Sequence, residues 1–173
     1  MTEDPRHPSF ETLFARCAAT AVHLEMRDEY IPTDPVFIDW RAGVAIDPKE
    51  RWGEWYDLMS ATTARGIRVR RARIVSEPVT DFIKYEYDLT EGLNLAAGEQ
   101  VRWLPRRQAS DLALPGNDFW IFDNRLVRFN YFTGRGDEAG DELTEDEAVV
   151  RLCVSAFESV WQRAVPHREY RLT

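Results

Sequence analysis

The groups in this chain that could do chemistry fall in a few short stretches. His23, Glu25, Arg27 and Asp28 sit together in HLEMRD. A histidine beside a carboxylate can move protons near neutral pH. On a strand, alternate residues share a face, so His23, Glu25 and Arg27 would point together. Read as an acid–base set, the candidates are His23, Glu25 and Asp28. Read structurally, they form a polar edge closed by a salt bridge, the commoner use of such residues.

The second group is cationic. IRVRRARIV carries Arg68, Arg70, Arg71 and Arg73, and VRWLPRR carries Arg102, Arg106 and Arg107. Guanidinium groups grip carboxylates and phosphates bidentately, so Arg71, Arg73, Arg102, Arg106 and Arg107 are candidates for binding a small acidic ligand. The competing use is internal pairing, because 30 acids face 22 bases in this chain. Ile67, Val69 and Val75 share a strand face with Arg71 and Arg73, so an arginine there must bulge out or point inward at an acid. Asp118 and Asp123 flank FWIF and complete the candidate ligand set.

Other chemistries are poorly supplied. His7, His23 and His167 have no metal-ligand spacing, and Cys17 and Cys153 stand alone at apolar helical positions. A buried, reduced pair is expected, with no metal and no cofactor. Gly134-Arg135-Gly136 with Gly140 misses both standard phosphate-loop spacings, and Asp137, Glu138, Asp141 and Glu142 would repel phosphate. A net charge of −8 disfavours nucleic acid and anionic membrane. No apolar run is long enough to span a bilayer, and MTEDPRHPSF has no secretory apolar region, so a cytoplasmic protein is expected.

The elements that position these groups can be read from punctuation and period. Residues 1–8, with Pro5 and Pro8, are expected to be a flexible N-terminus, and 9–173 a single domain. Ser9 caps a first helix with Phe10, Leu13, Phe14 and Cys17 on one face. Val22, Leu24 and Met26 alternate with polar residues as in a strand. Val36–Trp40 fits a short strand or a helical turn equally. Pro48 opens a helix with Trp52, Trp55, Tyr56 and Met59 as its stripe, closed by Gly66. Ile67–Val75 is a strand. VTDFIKYEYDL fits either period, and Pro78 favours helix. Residues 90–100 read as a connection. Val101–Leu104, Phe119–Asp123 and Leu126–Phe132 read as strands, the last two joined by an Asp123-Asn124 hairpin turn. TGRGDEAGDELTEDE reads as an exposed acidic loop. Thr144 and Glu147 suggest a capping box for a long helix ending near Ala164. The fold class is α/β (α+β): a small mixed central sheet with a β-hairpin and flanking helices.

Two resemblances follow. HLEMRDEY, RIVSEPVTDF, AGEQVRWLPRRQASDLALPGNDFWIFD and WQRAVPHREY resemble an actinobacterial family known only as a domain of unknown function. Its members are often encoded beside helix-turn-helix regulators. The element order is also similar to a phospholipase D-like half-domain. That superfamily's motif is His, any residue, Lys, four residues, Asp. Here it falls on Gly116, Asp118 and Asp123, so only the aspartate is kept. Its nucleophilic histidine and phosphate-holding lysine are missing, so the resemblance implies the fold without its catalysis.

These readings converge on a non-enzymatic regulatory accessory or sensor module. Its expected partner is a protein, above all a helix-turn-helix regulator, or a small acidic ligand; a homodimer is also open. The alternative is an enzyme acting on a small anionic substrate, with an arginine clamp and a His23/Glu25 acid–base pair. An enzyme should show a cleft where histidine or carboxylate meets arginines. A partner module should show an exposed apolar patch.

Overall fold

The computed structural model describes residues 6–173. The elements in chain order are α1 (Phe10–Arg16), β1 (Thr20–Glu25), α2 (Pro35–Arg41), α3 (Pro48–Arg51), α4 (Gly53–Ala64), β2 (Arg68–Val75) and α5 (Asp81–Thr90). A π-helical turn (Glu91–Leu95), β3 (Gln100–Pro105) and a 3-10 turn (Arg106–Ala109) follow. The chain closes with β4 (Asp118–Phe122), β5 (Leu126–Phe132), β6 (Glu138–Thr144), α6 (Glu147–Arg163) and β7 (Val165–Pro166). The seven strands form one mixed sheet in the order β6-β5-β4-β1-β2-β3-β7. β1, β2 and β3 are parallel, and the remaining neighbours antiparallel.

The period-two pattern sorts the sheet into two faces. Val22, Leu24, Ala72, Ile74, Leu104, Phe119, Ile121 and Val127 face α6, meeting Val150, Cys153, Phe157, Val160 and Trp161. The opposite face is covered in two parts. Leu13, Phe14 and Met59 of α1 and α4 pack on Ala21, Val69, Trp120 and Phe122. Phe37 of α2 and Phe82, Ile83 and Tyr85 of α5 pack with Val75, Val101, Trp103 and Tyr170. Between these two packings the sheet face is polar, because there the alternation delivers His23, Glu25, Arg71 and Arg73.

The helix starts are capped as the residue types require. Ser9 Oγ accepts from Thr12 N–H at 3.2 Å and Thr80 Oγ1 from Ile83 N–H at 3.2 Å. Asp123 and Asn124 both have φ 52°, which lets two residues turn β4 into β5. Gly66 ends α4 at φ 87°.

Several expectations need correcting. The acidic stretch after Gly136 is not a loop: Glu138–Thr144 forms edge strand β6 against β5. Backbone pairing decides there, and Arg128 and Tyr131 on β5 answer the acids: Arg128 lies 3.2 Å from Asp141, and Tyr131 O–H donates to Glu142 at 2.6 Å. The cap of α6 is Asp146, accepting from Ala148 and Val149 N–H at 2.9 and 3.0 Å, not the Thr144/Glu147 box. The helix from Pro48 breaks at Trp52, whose φ of −122° separates α3 from α4. Residues 91–95 extend α5 as a π turn instead of a plain connection. Val36–Trp40 lies within α2. The N-terminal expectation falls partly on residues 1–5, outside the described residues; within them Pro8 is buried and His7 Nδ1 lies 3.4 Å from Asp141.

Candidate functional site

Register brings the polar floor together. β1 and β2 run in parallel with His23 opposite Arg71 and Glu25 opposite Arg73. Both rows point away from α6 into a space with little water. Burial of an ion there is tolerable only if each charge is answered. Glu25 supplies the answer: Arg71 Nη1 donates to Oε1, and Arg73 Nε donates to Oε2 at 2.5 Å. Arg71 Nε also donates to Glu99 Oε2 at 3.0 Å, and Arg73 Nη1 to Thr90 Oγ1 at 2.7 Å. Glu99 Oε1 accepts from Asn94 Nδ2 at 2.9 Å and lies 3.4 Å from the Trp55 indole N–H. Glu86 stands 3.5 Å from Arg73.

The charge states follow from these contacts. Burial pushes the Glu25 carboxyl up, but the Arg73 and Arg71 guanidiniums outweigh it and hold it well below the usual carboxylate range. Burial lowers His23, and its neighbouring arginines lower it further, so the ring is neutral. Arg71 Nη1 sits 3.0 Å from His23 Nδ1. Arginine only donates, so Nδ1 must accept and the proton sits on Nε2. Glu86 moves the other way. Burial, not fully offset by Arg73 and reinforced by Glu25, pushes it up to about 7.

Above this floor opens a cavity of about 380 Å³. Phe10, Trp52, Trp55 and Trp120 line it, as do Tyr30, Phe82 and Phe132. His23 stacks on Trp120 with centroids 4.3 Å apart. Ile31 forms part of the lip at φ 40°, an unusual conformation for a β-branched residue, fixed by its N–H donating to Gly136 O at 2.9 Å. Gly136, at φ 91°, leaves room for Glu29 O, which a Cβ would meet at 3.2 Å. Gly136 thus serves a tight turn against the 29–31 segment. Among the described residues, His23 Nε2, Glu86 Oε2 and Arg128 Nε and Nη1 are buried without a hydrogen-bond partner. His23, Glu86 and Arg128 all line this cavity.

The remaining predicted site residues lie elsewhere. Asp28 leaves the acid–base set: it accepts from Ser76 N–H and Oγ at 2.7 and 2.6 Å, past the end of β1. Arg106 joins that knot, donating to Met26 O at 2.6 Å and Ser76 Oγ at 2.9 Å. Arg107 is 81% exposed and only skirts Glu77 at 3.3 Å. Arg102 faces α6, donating to Trp161 O at 2.9 Å and lying over its ring. Arg27 donates to Thr133 O at 3.2 Å, off the shared face. The arginines therefore do not form one clamp. Parity puts Arg102 on the opposite face from Arg71 and Arg73, and Pro105 ends the strand before Arg106.

Asp118 and Asp123 sit at opposite ends of β4. Asp118 is buried beside the floor, taking the Tyr30 hydroxyl and the Met26 N–H, the latter at 2.9 Å. Burial raises it to about 6 despite the Tyr30 hydrogen bond. Asp123 accepts from the Ala18, Ala19 and Thr20 N–H groups at 2.8, 2.7 and 3.0 Å, pinning the α1–β1 turn. Its acceptors are thus engaged by the chain's own backbone. His167 packs near the C-terminus, accepting from Trp103 Nε1 at 3.1 Å. Both cysteines are buried and free. Sequence reasoning missed Asn94 and Arg128 as site residues.

The mixed seven-stranded sheet with helices on both faces is an arrangement that solved structures share. A phospholipase D family member, Nuc from Salmonella typhimurium, matches over 93% of this chain and 88% of that chain, with TM-score 0.51 and 10% identity. NucT from Helicobacter pylori matches over 90% and 87%, with TM-score 0.48 and 12% identity. At such identity the likeness is one of fold. The chain belongs to the family described as domain of unknown function DUF6879, whose model matches residues 8–172. No curated protein matches it. No described helix is long and apolar enough to cross a membrane.

Proposed function

We propose that this chain is a non-enzymatic regulatory module that senses a small molecule in its aromatic cavity and acts in the cytoplasm beside a helix-turn-helix transcription regulator. The observation that carries the reading is how completely the predicted catalytic groups are engaged with each other. A clamp needs free guanidinium donors, yet Arg71 and Arg73 are held by Glu25, Glu99 and Thr90. A base needs a lone pair that gains a proton near neutral pH. Glu25 is locked ionised, and His23 offers an N–H to the cavity instead of a lone pair. What stays unengaged is a set of aromatic walls and a few polar edges, the equipment of a binding pocket.

The cleft favours a small ligand, since a cavity of about 380 Å³ lined by aromatic side chains opens above the polar floor. The regulatory setting rests on the sequence resemblance alone. The Salmonella neighbour's membership of the phospholipase D family does not bring hydrolysis with it, because Gly116 and Asp118 stand at the histidine and lysine positions. One observation favours an enzyme as the second reading: Glu86, at about 7, is matched to proton transfer.

The test is a melt of the protein with the small-molecule fraction of its host cells. The fraction should raise the melting temperature of the wild type by several degrees. It should not do so for Asn130→Trp, whose ring fills the cavity, nor for Trp52→Ala at its exposed mouth. An equal rise in all three proteins, or none in any, would sink the reading.

A further inference from the structure

We infer that the cavity takes a flat, uncharged nitrogen heterocycle of nucleobase or nucleoside size, a class that deepens the ligand-sensing reading and rests on it. Three observations narrow the chemistry in turn. The first is charge. Five carboxylates line the cavity, Glu25, Asp34, Glu86, Glu138 and Asp141, against the three guanidiniums of Arg71, Arg73 and Arg128. Phosphates and carboxylates meet net repulsion there, which removes the anionic class.

The second observation is the set of unpartnered polar atoms. A simple amine cation would satisfy Glu86 Oε2 alone. It would leave His23 Nε2–H and the Arg128 Nε and Nη1 donors without partners. Buried donors left without acceptors are costly. The cavity therefore asks for a ligand edge with acceptors for His23 and Arg128 and a donor for Glu86. His23 is only 8% exposed and its ring is fixed by Trp120, so its Nε2–H cannot turn away to find another partner.

The third observation is shape. Phe10, Trp52, Trp55, Tyr131 and Phe132 all line the cavity, and Trp52 is 37% exposed. Flat heterocycles stack on such faces regardless of substituents, while their edges carry donors and acceptors side by side. Uncharged heterocycles with mixed edges meet all three conditions; anions fail the first and aliphatic amines the second.

Tryptophan fluorescence can test this with adenosine, guanosine, cytidine and uridine as probes. Inorganic phosphate and benzyltrimethylammonium serve as the anionic and cationic comparisons. At least one nucleoside should quench saturably. Trp52→Ala should weaken it about tenfold or more, the size of a lost base–aromatic stack. His23→Phe keeps the ring on Trp120 but removes the Nε2–H, and should weaken it similarly; Arg107→Ala should change nothing. Saturable binding of phosphate or of the ammonium compound with none for the nucleosides would overturn the ligand class. So would nucleoside binding indifferent to both Trp52→Ala and His23→Phe. The host-fraction melt above reads the cavity without assuming any ligand, so the class can fail while the sensing reading stands.

Discussion

Glu86 is the buried charge that the fold answers least completely. Arg73 is 3.5 Å away and the second carboxylate oxygen has no partner. Its folded pKa is raised, so the native state binds the extra proton and the unfolded chain does not between the ordinary carboxylate range and about 7. Stability from this group is therefore fully present at low pH and is lost as pH rises through that window. Glu86→Gln should raise stability relative to wild type by on the order of 1–3 kcal/mol at pH 8 and by much less at pH 4.5, read by denaturant melts at both. A constant difference across pH would show that Glu86 does not titrate there. Arg71 is the opposite case. Arg71→Met leaves Glu25 and Glu99 buried against one fewer cation and should cost about 3–5 kcal/mol. A loss below about 1 kcal/mol would mean the network relaxes around it. The convergence of His23, Glu25, Arg71 and Arg73 was legible from strand period and the mixed apolar and cationic face of β2. Asn94 and Arg128 were not, since they arrive from the π turn and β5, and nothing local in the sequence says which way they face.

Element by element, what could be read was what local periodicity or punctuation dictates. The β4–β5 hairpin was legible because Asp-Asn accepts positive φ, and α6 because its apolar face persists through the helix. β6 was missed because its side chains are acidic and exposed, and an edge strand is specified by its neighbour's backbone rather than by its own alternation. The role of α6 as a core helix gives a direct check. Trp161 is buried, stacks on Phe157 at 5.6 Å and lies under Arg70 and Arg102. Trp161→Ala should lower stability by about 3–5 kcal/mol in a denaturant melt. A change under about 1 kcal/mol, typical of surface sites, would put α6 outside the core. At the other end of the sheet, Asp123→Ala strips the acceptor from three backbone N–H groups. It should cost about 2–3 kcal/mol without altering ligand capture. Loss of capture with unchanged stability would instead make Asp123 a ligand residue.

The molecule as a whole shares a fold with a phospholipase D family member at 10% identity. Gly116 lies in the turn before β4, Asp118 is tied to Tyr30, and Asp123 is tied to the α1–β1 turn. The protein should not turn over a generic phosphodiester; steady turnover lost in Asp123→Ala would contradict that. The frame was legible from element order, but the cavity was not. Its walls come from α1, α4, α5, β4, β5 and the 29–34 segment, which meet only in the folded chain. The central claim is that a small molecule occupies this cavity, and the six tryptophans report on it directly. Trp52, Trp55 and Trp120 line it, whereas Trp40, Trp103 and Trp161 do not. In a two-dimensional NMR spectrum of the indole N–H groups, adding the host's small-molecule fraction should move the first three resonances and leave the other three in place. Shifts confined to Trp40, Trp103 and Trp161, or no shifts at all, would contradict the account.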